Sequence, residues 1–305
     1  MRIVLHGQQA FGQAVLEKLL ERGENVVAVC CAPTKEGKPD DVLAVYAREQ
    51  DLPVHQPASW KTPEALALME SFEADVCMMA YVLLFVPEAV RNAPKYGTFQ
   101  YHPSLCPLHR GPSSINWPIA MGKDRTGLSI FWPDDGLDEG PIMLQKTCAI
   151  GPDETLGDVY FKKLFPMGVD AMLEGLDLVK SGVIIKHDQR LEDGTYEGWF
   201  GKNEAALDWS APAATVYNTI RAANPAPGAW TTVAGQVLKI YDSALVDGTG
   251  TPGEVVSVTD EGVTVQADGG RILMKRVRAD EGKVPAAEWA TKAGITAGMT
   301  IGQQS

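Results

Sequence analysis

Long apolar runs are absent from this 305-residue sequence. No stretch approaches the roughly 20 uninterrupted apolar residues that a membrane-spanning helix needs. The opening run Met-Arg-Ile-Val-Leu-His is too short for the apolar part of a signal peptide. We therefore expect a protein that has no membrane partner.

The sequence also shows no sign of paired cysteines. The five cysteines form no Cys-x-x-Cys motif, and their odd number does not suit a disulfide framework. Most of them lie within apolar, strand-like runs, which is typical of buried free thiols in a reducing compartment. These features predict a cytoplasmic protein.

Positive charge is scarce, since 27 Lys and Arg stand against 39 Asp and Glu and give a net charge of −12. Within residues 204–305 alone, eight Lys and Arg stand against eleven Asp and Glu. Broad binding to nucleic acid or to an anionic membrane needs clustered cations. The charge balance therefore argues against tRNA as a partner.

The usual signatures of a dinucleotide or metal site do not occur. The turn expected at residues 7–12, after the first predicted strand, lacks G-x-G-x-x-G, and the second predicted strand does not end in an acidic residue. The acidic residues Asp134, Asp135, Asp138 and Glu139 do not follow the spacing of a calcium loop. We expect a plain strand-to-helix turn and no metal.

Short β-like runs alternate with helical patterns in the first two thirds of the chain, which is typical of a parallel sheet with crossover helices. A long helical pattern at 155–181 is interrupted by Pro166 and Gly168. The predicted strands of this part are 2–6, 25–31, 53–55, 76–80, 98–102, 126–132 and 143–150.

The alternation of strand-like and helical patterns ends near Gly201. Beyond it, short predicted strands separated by Gly and Asp turns indicate a small antiparallel barrel. The sequence thus predicts an α/β protein with two domains. The first, residues 1–203, is a Rossmann-like domain with a mostly parallel sheet, and the second, residues 204–305, is an OB-like β-barrel. The predicted strands of the second domain are 229–233, 236–241, 253–258, 262–266 and 271–277.

Two polar motifs carry the strongest chemical signal. His102 stands at the carboxyl end of a predicted parallel strand, the edge at which α/β sheets bind ligands. Asp138 stands about 35 residues later in a Gly-flanked turn that can reach the same edge. A histidine and a carboxylate that meet there can perform acid–base chemistry on a carbonyl. Taken alone, however, a histidine such as His102 is more often a structural strand-end residue, and an aspartate such as Asp138 is more often a turn residue.

The residues of these two motifs resemble the signature motifs of the folate-dependent formyltransferase family. Residues 102–111 read His-Pro-Ser-Leu-Cys-Pro-Leu-His-Arg-Gly, and residues 136–140 read Gly-Leu-Asp-Glu-Gly. The resemblance extends over nearly the whole chain, and within the family it is fullest to the N-terminal hydrolase domain of 10-formyltetrahydrofolate dehydrogenase. It implies an enzyme that removes the formyl group of 10-formyltetrahydrofolate, and it implies a folate ligand without a metal.

The same resemblance assigns roles to particular residues. His102 would donate a hydrogen bond to the tetrahedral oxyanion, and Asp138 would accept the proton of the nucleophile and orient the imidazole. Gln100 stands where the family usually has an Asn that polarises the formyl oxygen. The segment that would wrap the pterin, largely through backbone groups, consists of Tyr81, Val82, Leu83, Leu84, Phe85, Val86 and Pro87.

Three functions remain open from the sequence. The first is hydrolysis of 10-formyltetrahydrofolate to tetrahydrofolate and formate, or release of the formyl group to a partner such as a fused or separate aldehyde dehydrogenase. The second is N-formyl transfer to an amine of a sugar nucleotide or of methionyl-tRNA. The third is folate binding without catalysis, which the presence of both His102 and Asp138 argues against.

Overall fold

A seven-stranded sheet organises the first part of the fold in the computed structural model, which describes residues 1–279 and 282–302. The strands are β1 (Arg2–Gly7), β2 (Asn25–Cys30), β3 (Val54–His55), β4 (Val76–Ala80), β5 (Thr98–His102), β6 (Arg125–Phe131) and β7 (Ile142–Ala149). Their order is β3-β2-β1-β4-β5-β6-β7. The pairs among β1 to β5 are parallel, whereas β6 runs antiparallel to β5. The predicted, mostly parallel α/β sheet is confirmed.

Both faces of the sheet are buried at its central strands β1 and β4. In β1, Ile3 and Leu5 belong to one apolar cluster and Val4 belongs to another. Successive side chains of a strand point to opposite faces, so a strand that is apolar throughout requires cover on both sides. This explains the uninterrupted apolar runs of β1 and β4 in the sequence.

The helices follow from apolar spacing and from capping residues. In the first helix Phe11, Val15 and Leu19 are buried at intervals of four, so that one stripe faces the core. Asp41 caps the second helix, where its side chain accepts from the Leu43 N–H. The helices of the described chain are α1 (Gln9–Glu21), α2 (Val42–Glu49), α3 (Pro63–Ser71), α4 (Glu88–Asn92), α5 (Asn116–Ala120), α6 (Leu156–Val159), α7 (Phe165–Lys180), α8 (Ala213–Ala222) and α9 (Ala286–Ala293).

The long helical segment is interrupted once, before Pro166. A π-helical turn at Tyr160–Leu164 separates α6 from α7, and Pro166 stands in the first turn of α7, where its missing N–H costs nothing. The predicted second interruption at Gly168 is wrong, because α7 runs through it. A Cβ at Gly168 would lie 2.6 Å from the Tyr101 ring, so the glycine permits close packing of α7 on the sheet.

A second sheet is antiparallel throughout. Its order is β10-β11-β12-β9-β8, and β13 pairs with β12. The five predicted strands of this part are confirmed, but α8, α9 and β13 were not predicted. Closure into an OB-like barrel stays a prediction. The strands are β8 (Ala229–Val233), β9 (Gln236–Val246), β10 (Val255–Thr259), β11 (Gly262–Ala267), β12 (Gly270–Ala279) and β13 (Gly282–Pro285).

The chain forms two structural units, each of several segments. The first comprises residues 1–111, 127–148 and 163–196, and the second comprises 112–126, 149–162 and 197–305. A single domain boundary after residue 203 stays a prediction. Among the described residues, no helix combines the length and the hydropathy that crossing a membrane would demand.

Candidate active site

Two neighbouring strand ends place the candidate residues at one edge of the first sheet. β4 and β5 are parallel partners, with Met79 in register with Gln100. β4 ends at Ala80 and β5 ends at His102. The predicted folate segment, residues 81–87, therefore leaves the sheet beside His102, as expected for a ligand site at the carboxyl ends of parallel strands.

The His102 ring is buried and faces two acceptors. Its Nε2 lies 3.2 Å from the carbonyl oxygen of His109, and its Nδ1 lies 3.5 Å from Oδ2 of Asp138. A carbonyl oxygen can only accept, so Nε2 carries a proton in the first contact. The second separation is longer than a hydrogen bond and leaves the Nδ1 edge incompletely satisfied.

Asp138 reaches His102 from an unexpected direction. Because β6 is antiparallel to β5, the connection from β6 to β7 starts beside the beginning of β5 and not beside its end. Within that connection Asp138 adopts φ +55°, a left-handed conformation that Asp tolerates better than most residues. Its Oδ2 also accepts from the Gly111 N–H at 3.0 Å. The carboxylate is thereby fixed between the two motifs.

This pair can move a proton and stabilise a developing negative charge. While the His109 carbonyl holds the Nε2 proton, a neutral ring offers only a lone pair at Nδ1. The imidazolium offers an N–H there as well, next to the Asp138 carboxylate. Among residues 1–279 and 282–302, no group of three or more His, Cys, Asp or Glu is arranged to hold a metal ion.

Gln100 lies on the same strand face as His102, two residues before it. Its side chain is half-buried, and within the described chain its amide has no hydrogen-bond partner. The amide is therefore free to meet a ligand at the edge where His102 lies.

The predicted folate segment alternates outward and inward side chains. Tyr81 opens it with φ +66°, a conformation rare for an aromatic residue and often found at functional sites. Burial raises the pKa of the Tyr81 hydroxyl, which therefore stays protonated at neutral pH. The exposed members are Tyr81, Leu83 and Phe85, and the partly or fully buried members are Val82, Leu84, Val86 and Pro87.

The loop that follows His102 is braced by hydroxyl and amide groups. Ser129 accepts from the Cys106 N–H at 3.0 Å and donates to the Ser104 carbonyl at 2.7 Å. Gln145 donates to the Cys106 carbonyl at 2.7 Å. Burial raises the pKa of the Cys106 thiol to about 11, so this cysteine is a neutral packing residue at physiological pH.

The loop that carries Asp138 is held by three side chains. Arg110, which lies in the His102 motif and is interpreted from the sequence as a loop-stabilising residue, pairs with Glu139. Arg91 donates to the Val86 carbonyl at 2.6 Å and to Asp135 at 2.8 Å. Gln189 donates to two backbone carbonyls of the same turn. Sequence reasoning did not single out Arg91 and Gln189, because they lie outside both motifs and far from the loop along the chain.

Gly140 closes the Asp138 loop at its base. A Cβ there would overlap the Trp132 carbonyl oxygen, and the Trp132 N–H donates to the Pro141 carbonyl at 2.9 Å. A residue with a side chain would force the two ends of the loop apart. This gives a physical reason for the final glycine of the second motif.

Comparison with known proteins agrees with this geometry. The family model described as "Formyl transferase" matches residues 1–173, and the model described as "Formyl transferase, C-terminal domain" matches residues 200–294. The chain belongs to the formyltransferase family. The resemblance carried by the two sequence motifs is therefore confirmed.

Relatives within the family differ in length. Mitochondrial 10-formyltetrahydrofolate dehydrogenase of Mus musculus is 36% identical over 305 residues, which cover 95% of this chain and 33% of that protein. The chain thus spans about one third of that relative. Methionyl-tRNA formyltransferase of Geobacter sulfurreducens is 32% identical, covering 99% of this chain and 97% of that protein.

Solved structures share the fold. HypX from Aquifex aeolicus, in complex with tetrahydrofolic acid, superposes with a TM-score of 0.68 at 20% identity. The match covers 96% of this chain and 47% of that one. At this level of identity the similarity concerns the fold alone.

Proposed function

We propose that this protein removes the formyl group of 10-formyltetrahydrofolate, with water as the acceptor or with release to a partner. The observation that carries the proposal is the buried His102–Asp138 pair, at a strand edge beside an exposed apolar segment. Such a pair supplies both an acid and a base for attack on a formyl carbon. Similarity to 10-formyltetrahydrofolate dehydrogenase over 95% of the chain supports the same donor.

The residues divide the reaction into two proton transfers. Asp138 accepts a proton from the attacking water while the new C–O bond forms at the formyl carbon. The carbonyl electron pair moves onto the formyl oxygen, to which the imidazolium form of His102 donates from its Nδ1 edge and Gln100 donates from its amide. The oxyanion then collapses and the C–N10 bond breaks, while the proton held by Asp138 passes to N10. The products are tetrahydrofolate and formic acid, which loses its proton to solvent as formate.

The exposed apolar segment supports a flat heterocycle as the ligand. Leu83 and Phe85 are 59% and 49% exposed, and together with Tyr81 they form a run of exposed apolar side chains at the sheet edge. An aromatic pterin would cover these side chains, while neighbouring backbone groups meet its polar edge. We therefore assign folate binding to residues 81–87.

An amine acceptor is the second candidate, and one observation favours it. The chain covers 97% of a methionyl-tRNA formyltransferase at 32% identity. The acceptor would then be an amine of a sugar nucleotide or of methionyl-tRNA, and Asp138 would take a proton from nitrogen. Folate binding without catalysis remains the third possibility. Cytoplasmic location and an aldehyde dehydrogenase partner stay predictions.

Turnover of 10-formyltetrahydrofolate is the experiment that tests the proposal. Release of formate and tetrahydrofolate is followed with the purified chain, with and without candidate amines. We expect formate without any amine. Formyl transfer that strictly requires an amine would establish the second candidate, and tetrahydrofolate binding without turnover would establish the third.

Matched variants tie the activity to the pair. His102→Ala and Asp138→Asn should each lower kcat by about 100-fold or more, because both groups act on the transition state. His187→Ala and Asp188→Asn change exposed residues of the same types and should leave kcat unchanged. Near-native kcat in either site variant would disprove the assigned roles.

A further inference from the structure

Gln189 holds the turn that presents Asp138. Its amide nitrogen donates to the Asp138 carbonyl at 2.9 Å and to the Gly140 carbonyl at 2.7 Å. Both protons of one amide are thus committed to the carbonyls on either side of Glu139. We propose that Gln189 is a positioning residue for the reaction, which fixes the Asp138 carboxylate against His102. This inference rests on the function proposed above.

The turn needs such a restraint. Asp138 has φ +55°, a left-handed backbone conformation that is unfavourable for most residues with a side chain. Relaxation of that backbone angle would swing the carboxylate away from the Gly111 N–H and from Nδ1 of His102. A displacement of about 1 Å in a preorganised site is enough to lower a rate 100-fold.

Gln189 is itself firmly held. Two residues before it, His187 exchanges both backbone hydrogen bonds with Ile142, at 2.8 and 3.0 Å. The Ile185 carbonyl accepts from the Trp132 indole at 2.8 Å. Both contacts are made to residues at the base of the Asp138 loop. The backbone that carries the Gln189 side chain is therefore attached to the same loop.

The orientation of the amide follows from its partners. Two carbonyl oxygens can only be met by the nitrogen end, which leaves Oε1 buried and without a partner in the described part of the chain. A buried acceptor without a partner destabilises the folded state. An apolar side chain would avoid that cost but would supply no donors. We therefore infer that Gln189 serves its position through the two N–H donors of its amide.

Two variants separate positioning from folding. Gln189→Met keeps the volume and removes both donors, so we expect kcat to fall about 10- to 100-fold. The dissociation constant for tetrahydrofolate should change little. The Tm should fall because two carbonyls lose their donors, so kcat is compared well below the Tm of the variant. Gln189→Glu keeps the shape but places a carboxylate against two carbonyls. When protonated, it regains one donor. Its kcat relative to the wild type should therefore rise as pH is lowered.

A measurement independent of turnover completes the test. The Gly111 N–H donates to Asp138, so hydrogen exchange at Gly111 should be faster in Gln189→Met than in the wild type. Gln236→Glu changes an exposed glutamine and should alter neither exchange nor kcat. The positioning role is overturned if hydrogen exchange at Gly111 in Gln189→Met is as slow as in the wild type. It is also overturned if the fold-decrease in kcat of this variant is no greater than its fold-decrease in affinity for tetrahydrofolate. Absence of wild-type turnover defeats only the proposed function, and exchange at Gly111 still decides the role of Gln189.

Discussion

Gln100 is one of the residues at which this chain departs from the pattern that its motifs resemble. The resemblance implies Asn at this position. Gln carries its amide one methylene further, a displacement of about 1 Å that is large enough to affect catalysis in a preorganised site. Among the described residues the amide has no hydrogen-bond partner, and it lies on the strand face that carries His102. The side chain is thus available to the formyl oxygen.

Substitution of Gln100 should tune the rate and not abolish it. Loss of one neutral hydrogen bond is worth about 1 kcal/mol, so Gln100→Ala should lower kcat roughly 5- to 10-fold. Gln100→Asn should shift turnover toward amine acceptors. Both are measured as formate release against amine formylation, with Gln236→Ala as the exposed control. Unchanged rates and acceptor profiles would show that Gln100 only packs.

His6 is a buried histidine outside the reaction. Burial lowers its pKa to about 3, its Nδ1 has no partner among the described residues, and its ring lies 4.9 Å from that of Trp60. The folded state therefore holds His6 neutral, whereas an unfolded chain protonates it below about pH 6.5. Between these two values the unfolded state binds more protons, so stability falls as pH falls.

The pH dependence of unfolding should report this group. We expect His6→Phe to remove up to about 1.4 kcal/mol per pH unit from the slope of the free energy of unfolding between about pH 6 and 4. Urea unfolding at several pH values gives the slope, with His187→Phe as the exposed control. An unchanged slope in His6→Phe would mean that His6 is protonated in the folded chain.

At the scale of elements, the sheet could be predicted because strands such as β1, β2 and β4 carry apolar runs of their own. The antiparallel course of β6 could not, since a strand buried on both faces looks the same in either direction. The helix α4, five residues long, lacks the two turns that a periodic signal needs. Similarly, the motifs identified His102 and Asp138, but their supports, such as Ser129 and Gln189, are separate polar residues without local pattern.

The short helix α4 has a function in joining two loops. Its Arg91 guanidinium is buried and donates to the Val86 carbonyl, at the end of the folate segment, and to Asp135 of the Asp138 loop. Asp135 is 70% exposed, so most of the desolvation falls on the arginine. The contact links the segment expected to bind the pterin with the loop that carries the carboxylate.

Removal of this link should weaken folate binding. Arg91→Met keeps the aliphatic stem and leaves Asp135 in water, so the fold should persist. The variant loses the hydrogen bonds that the charged guanidinium donates to the Val86 carbonyl and to Asp135. Hydrogen bonds from a charged group are worth about 1.5–3 kcal/mol, so the segment expected to bind the pterin should be held less firmly. We expect the dissociation constant for tetrahydrofolate, measured by titration calorimetry, to rise about tenfold or more. Arg190→Met, at an exposed arginine, is the control. Equal affinities in the two variants would restrict Arg91 to a structural contact.

At the scale of the whole molecule, charge sets which partners can approach. The net charge is −12, and residues 204–305 are acidic on balance. The densest run of exposed cations is Lys275, Arg276 and Arg278 on β12. Lys239 of β9 and Lys283 of β13 lie in register with Arg278 and extend this patch, whereas Asp242 of β9 lies in register with Arg276 and reduces it.

We therefore predict that the chain does not bind initiator methionyl-tRNA specifically at physiological salt, although a relative that matches it along almost its full length is a methionyl-tRNA formyltransferase. Each phosphate neutralised contributes through counterion release, so a patch of about five cations, one of them opposite a carboxylate, gives weak binding that disappears as salt rises. Filter binding at several salt concentrations, with the Geobacter enzyme in parallel, measures this directly. Binding at micromolar or tighter affinity that weakens steeply with salt would require a basic surface that the charge distribution does not offer, and it would move the amine acceptor ahead of water.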